Sequence, residues 1–88
     1  MIELALTLTN KAGLHARPAA QFVQKAAGFQ SKVTIAAGGK TADAKSILAV
    51  MSLALTGGRS FTLTVDGADE QGCADALRAL VESNFGEV

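Results

Sequence analysis

The stretch "IELALTLTNKAGLHARPAAQFVQKAAG", residues 2–28, changes its hydrophobic period partway along, and that change decides the fold. Its first eight residues alternate strictly, with Ile2, Leu4, Leu6 and Leu8 on one side and Glu3, Ala5, Thr7 and Thr9 on the other. Alternation of this kind predicts a strand with one buried face. "NKAG" interrupts it. From Ala16 to Ala27 the apolar positions become Ala19, Phe22, Val23 and Ala26. That is the i, i+3, i+4, i+7 spacing of an amphipathic helix, and Gly28 is its expected stop.

Working outward, "SKVTIAA" alternates again through Val33 and Ile35, and Gly38-Gly39 predicts a tight hairpin turn into a short strand, "KTADA". "SILAVMSLAL" reads as a short helix capped by Ser46, with Ile47, Val50, Met51 and Ala54 able to share one face and Gly57-Gly58 ending it. "SFTLTV" is a further strand, burying Phe61, Leu63 and Val65. Asp69 is placed to cap a last helix, with Glu70 suiting its positive end and Cys73, Leu77, Leu80 and Val81 as its buried stripe. The order β-α-β-β-α-β-α, with single-faced strands and three helices to cover them, predicts an α+β two-layer sandwich.

Composition bounds the function. Residues 1–88 have room for one domain, and the 49% hydrophobic content supports a core even though aromatics reach only 5%. Lone Cys73 rules out a disulfide framework within the chain and a cysteine-rich zinc site. Together with a start lacking a basic n-region and the absence of a membrane-length apolar run, it leads us to expect a cytoplasmic protein without direct membrane contact. Eight basic and eight acidic residues give zero formal charge without a basic block, which argues against nucleic-acid binding.

The only histidine and the only proline lie three residues apart, at the point where strand period gives way to helix period. A lone histidine at such a junction is ordinarily a surface residue or a hydrogen-bonded structural one. Its neighbours favour chemistry. Gly13 permits a sharp turn before His15, and Pro18 suits a first helical turn, where its missing N–H is no loss. The N–H groups of Ala16 and Arg17 are then without intrahelical partners and, with the helix dipole, make an anion site beside the imidazole. Arg17 adds a planar fork that matches phosphate oxygens. An imidazole held against an anion site makes sense if the ring itself carries a phosphoryl group. Positive surroundings disfavour imidazolium, leave a neutral nucleophile near neutral pH, and stabilise the phosphoryl dianion. This chemistry needs no cofactor and no metal on the chain.

"GLHARPAAQFV" (13–23), followed by "KSILAVMSL" (45–53), resembles the HPr family of histidine-containing phosphocarriers in the bacterial phosphoenolpyruvate-dependent sugar phosphotransferase system. The resemblance covers essentially all of residues 1–88. It implies an open-faced sandwich of a four-stranded antiparallel sheet and three helices. It also implies that His15 accepts a phosphoryl group at Nδ1 from phosphorylated Enzyme I and hands it to IIA proteins or domains, with Arg17 supporting the group. Ser46 matches a serine that a dedicated kinase phosphorylates in some bacterial lineages. By the same resemblance the helix after Ser46 lies beside His15 and docks Enzyme I and IIA proteins through Ile47, Leu48 and Met51. The chain departs from the family pattern at Ala12, where many relatives carry a polar residue, and at Ala54, where glycine is common.

Each of these residues also has a plain structural reading. Serine before an apolar helix is a cap that needs no kinase, and the two roles are compatible. The apolar "SILAVMSLAL" is an ordinary core helix on that reading, yet Ile47, Leu48 and Met51 cannot all face inward on so short an element, and methionine suits a surface meeting several partners. Cys73 reads as core. The leading function is therefore a monomeric phosphocarrier, not an enzyme with turnover of its own. Two alternatives stand beside it: a carrier of the nitrogen-related branch or a module cut from a multidomain protein, and a small acylphosphatase-like hydrolase, in which His15 would have no clear task.

Overall fold

A computed structural model of the chain describes residues 1–8, 16–53 and 59–83. The elements run β1 (Ile2–Thr7), α1 (Ala16–Ala27), β2 (Lys32–Ala37), β3 (Lys40–Asp43), α2 (Ile47–Ser52), β4 (Ser60–Asp66) and α3 (Glu70–Glu82). All seven elements agree in type and order with those read from hydrophobic period. The strands form one antiparallel sheet in the order β1-β4-β2-β3. β4 thus lies between β1 and β2, while β2 lies between β3 and β4, giving two interleaved β-α-β units.

Register makes the core. Leu4 faces Leu63, which faces Ile35, which faces Ala42, and alongside this row Leu6 pairs with Phe61 while Val65 pairs with both Ile2 and Val33. Alternate residues form the opposite face, where Glu3, Thr64, Thr34 and Asp43 line one row and Ala5, Thr62, Ala36 and Thr41 the next. The helices cover the apolar face. Ala19, Phe22 and Ala26 of α1 are buried, as are Val50 of α2 and Cys73, Ala74, Leu77 and Val81 of α3. Phe22 meets Phe61 edge to face, with centroids 6.3 Å apart. This contact locks α1 to the centre of the sheet.

Most turn chemistry follows the sequence reading. Gly38 and Gly39 take φ of 58° and 80°, the left-handed pair that a two-residue hairpin requires. Gly28 follows α1 as expected, but by a tightened turn and without positive φ: its N–H donates to the Lys25 carbonyl at 3.2 Å, and that of Phe29 to Ala26 at 3.2 Å.

Three expectations are corrected. First, α2 ends at Ser52, where the Leu53 N–H returns to the Val50 carbonyl at 3.2 Å, so the helix does not run on to Gly57-Gly58. Those glycines, with Ala54, lie outside the described residues. Second, Leu80 is only partly buried, and Ala74 takes its place in the α3 stripe: at about 3.6 residues per turn the two flank the Cys73–Leu77–Val81 face on opposite sides, and it is the Ala74 side that turns to the core.

Third, Asp69 occupies the N-cap position of α3 but its carboxylate does not cap it. It turns across to the segment after α1, accepting the Gln30 N–H at 2.8 Å, the Ser31 N–H at 2.9 Å and the Ser31 hydroxyl. Ser31 is fully buried, so its polar groups need a partner there. Gly67 allows the approach: a Cβ at that position would stand 2.7 Å from the Ser31 Cα. Glu70 instead helps at the start of α3, accepting the Gly67 N–H at 3.3 Å.

Candidate functional site

α1 begins at Ala16, the residue after His15 in the chain. His15 itself, with Ala12 and Gly13, lies outside the described residues. The first turn of α1 carries Arg17 and Pro18, and the two point to opposite environments. Pro18 is fully buried and Arg17 is exposed. The proline therefore does two things: it fixes φ at the start of the helix and anchors that start in the core. The helix carries no acidic residue in its first turn, and Lys25 stands in its last, so the positive end of the dipole is left uncompensated by side chains of α1. The N–H groups of Ala16 and Arg17 have no intrahelical partners by the geometry of any α-helix.

α2 packs against α1. Ser46 caps it as expected, with extended backbone and its hydroxyl accepting the Ala49 N–H at 3.3 Å. Of the apolar residues that follow, Val50 alone is fully buried. Ile47 is 38%, Met51 42% and Leu48 79% exposed. As the sequence led us to expect, Ile47, Leu48 and Met51 do not all face inward; of the residues able to share a face with Val50, only Val50 itself is fully buried. The exposed residues are one position, three and four apart, so they form a single apolar patch on one side of a one-and-a-half-turn helix.

Two features escaped the reading of the sequence. Lys45, partly buried, donates from Nζ to the Phe29 carbonyl at 2.9 Å, tying the start of α2 to the turn after α1. Asp69 holds the same turn from the other side. The Ser31 hydroxyl, then the Gln30 N–H, hold the Asp69 carboxyl below the usual carboxylate range. Neither Lys45 nor Asp69 belongs to a spacing pattern, because both act between elements distant in the chain. Cys73 is buried, and burial, with the charge of Asp69, pushes its thiol pKa up. This disfavours the reactive thiolate, as the core reading of Cys73 expects. Among the described residues no three metal-ligating side chains cluster together.

A family model described as the PTS HPr component phosphorylation site matches residues 2–83. The chain belongs to the HPr family of the phosphotransferase system. Phosphocarrier protein HPr of Cupriavidus necator is 47% identical over 87 residues, covering 99% of this chain and 98% of the relative. HPr-C-His from Thermoanaerobacter tengcongensis, a crystal structure, superposes with a TM-score of 0.97 at 44% identity, covering 100% of this chain and 99% of that one. An HPr dimer from the same organism gives a TM-score of 0.80 at 45% identity, covering 99% and 100%. The HPr open-faced sandwich is therefore the fold of this chain, and phosphocarrier of the phosphotransferase system is its function.

Proposed function

We propose that His15 is the phosphoryl acceptor, taking the group at Nδ1 from phosphorylated Enzyme I and passing it to IIA proteins or domains for sugar uptake. The lone pair of Nδ1 attacks phosphorus, the P–N bond to His15 forms as the bond from phosphorus to Enzyme I breaks, and the reverse exchange delivers the group to a IIA acceptor. The observation that carries this reading is the start of α1. A helix that begins at the residue after His15, with buried Pro18 fixing its first turn and Arg17 turned to solvent, offers an incoming dianion two backbone donors, a dipole and a guanidinium. The group is carried and not hydrolysed, so the protein is a substrate of its partners and has no turnover of its own.

The patch of Ile47, Leu48 and Met51 is the docking surface in this reading, since it is the large apolar area left exposed on a helix packed against α1. Ser46, at the cap of that helix, is the residue a regulatory kinase would modify. The cytoplasm is the proposed location, and a monomer the proposed state, with self-association as the alternative given the solved HPr dimer from T. tengcongensis. Sedimentation across a concentration series separates the two.

Incubation with phosphoenolpyruvate and Enzyme I, followed by mass spectrometry, tests the central claim. A single acid-labile phosphoryl adduct on His15, absent from a folded His15→Ala variant, is the expected result. Label retained by His15→Ala, or steady hydrolysis without an adduct, refutes it.

A further inference from the structure

We propose that Lys45 is a positioning residue for the docking surface: its ammonium, bonded to the Phe29 carbonyl beyond the end of α1, sets the orientation in which α2 presents Ile47, Leu48 and Met51. The inference rests on the functional reading above for its partner, and on the geometry of α2 for its need.

A six-residue helix is too short to hold its own shape and place, so it depends on tertiary anchors. Val50 is its one fully buried residue. Val50 seats the middle of the helix and the partly buried C-cap Leu53 packs against the same core, which leaves the helix start to be fixed relative to α1, and the placing of that start decides how Ile47 and Leu48 face a partner. The Lys45 N–H donates to Asp43 Oδ1 at 2.9 Å, the Ser46 N–H to the Asp43 carbonyl at 3.0 Å, and Lys45 Nζ reaches across to Phe29 at 2.9 Å. The first two bonds are local and secure the turn to β3. Only the third crosses to α1.

The acceptor is itself rigidly held. Gln30 and Ser31, the next two residues, are clamped by the Asp69 carboxylate, and Ser31 is buried under Gly67. The chain of contacts therefore runs from the start of α3, through the turn after α1, to the start of α2. The cation also stands near the negative end of the α1 dipole, where positive charge is favoured. α1 thus has its positive end at the proposed phosphoryl site, and the turn just past its negative end is bonded to the residue that aims the docking helix.

The test uses Lys45→Met, which keeps the stem and removes the donor, together with Lys45→Arg and Asp69→Asn. With phosphorylated Enzyme I as donor, Lys45→Met should raise KM about three- to tenfold, with kcat changed by less than about twofold. Asp69→Asn should also raise KM, and the two losses should add to less than their sum, because they act through one turn. Lys45→Arg should recover most of the loss, because a guanidinium can still donate to the Phe29 carbonyl. The KM increase for Lys45→Met should be the same at low and high salt. A loss that vanishes at high salt means that Lys45 touches an acidic partner directly, and overturns the proposal. So does an unchanged KM at a temperature where the variant is fully folded.

Amide exchange supplies a readout independent of any partner. The Ala49 N–H, bonded to the Ser46 hydroxyl, should exchange faster in Lys45→Met while amides of β4 keep wild-type protection. Unchanged exchange at Ala49 overturns the anchor. Failure of the wild-type protein to accept a phosphoryl group overturns the functional reading alone.

Discussion

Leu48→Ala should weaken docking more than any other single truncation in α2, while leaving the protein almost as stable as before. Fully burying a leucine side chain is worth about 1.5–3 kcal/mol. Leu48 is 79% exposed, so about four-fifths of that gain, roughly 1.2–2.4 kcal/mol, is available to a partner and only the remaining fifth supports the fold. The ceiling on the affinity loss is then about 7- to 60-fold. It is a ceiling because docking also orders side chains, and buried area converts to affinity incompletely. The same arithmetic for Met51 at 42% and Ile47 at 38% exposure gives no more than about 3- to 8-fold for either truncation. Val50 is the opposite case. With no exposure, Val50→Ala loses two buried methyls and leaves a cavity, costing about 2–3 kcal/mol of stability. Calorimetric titration against Enzyme I, paired with urea unfolding of each variant, reads both quantities. The expected docking rank places Leu48 first, with Val50 first in the stability rank. An affinity for Leu48→Ala equal to wild type refutes the argument, and so does a Leu48→Ala stability loss matching that of Val50→Ala.

Arg17→Ala should leave the fold intact, because the side chain is exposed, and slow phosphoryl transfer in both directions by about one to two decades, the loss of a charge-assisted contact worth roughly 1.5–3 kcal/mol; quench-flow rates within about twofold of wild type would reduce Arg17 to surface decoration. Ser46→Asp should keep its melting temperature, since aspartate caps a helix as well as serine does, yet lose at least about tenfold in transfer from Enzyme I because the new charge borders Ile47 and Leu48, about 1.4 kcal/mol. Wild-type rates at low salt would leave Ser46 a plain cap. Gly72→Ala should stabilise by about 0.5–1 kcal/mol in urea unfolding, because the added Cβ lies 3.7 Å from the Phe29 ring in ordinary contact; a destabilised variant would show that α3 cannot take the group. Asp69 has its folded pKa lowered, chiefly by the Ser31 hydroxyl, so it contributes stability above its unfolded pKa and loses it as pH falls from about 4 through the folded value. Asp69→Asn should therefore flatten the acid limb of the stability curve, and an unchanged acid limb would mean that the clamp does not couple to folding.

The fold was legible because each element carries a clean period. The alternation in "IELALTLT" and "SFTLTV" and the apolar stripe of α1 need no tertiary information, and Gly38-Gly39 names its own turn. Local caps were legible for the same reason, as the Ser46 hydroxyl on the Ala49 N–H demonstrates. What could not be read was the use of a residue by a distant segment. Asp69 precedes a helix, and a local rule assigns it to that helix, but the unmet donors of buried Ser31, 38 residues away in sequence, take its carboxylate. The end of α2 failed differently. "SILAVMSLAL" is apolar throughout, so its period cannot mark where burial stops, and the helix closes at Ser52 once Val50 is seated.

The candidate site divides the same way. The chemistry proposed for it lies in one contiguous run, His15-Ala16-Arg17, and contiguous chemistry is readable. Its presentation is a property of packing. Pro18 looks like a helix starter in the sequence and proves also to be a core residue, which matters because a helix start fixed only by backbone preference would fray. A carrier must present one reactive group to several unlike proteins in turn, and a frayed acceptor would lose orientation at each encounter. A buried proline next to an exposed arginine gives the proposed acceptor a helix start anchored in the protein interior beside a solvent-facing guanidinium. The proposed docking patch would obey the same constraint from the other side: α2 is short and exposed, and therefore needs anchors at Val50 and at its start to keep one orientation. Enclosure would serve an enzyme that holds a single substrate through turnover. Rigid exposure serves a protein that is itself the substrate.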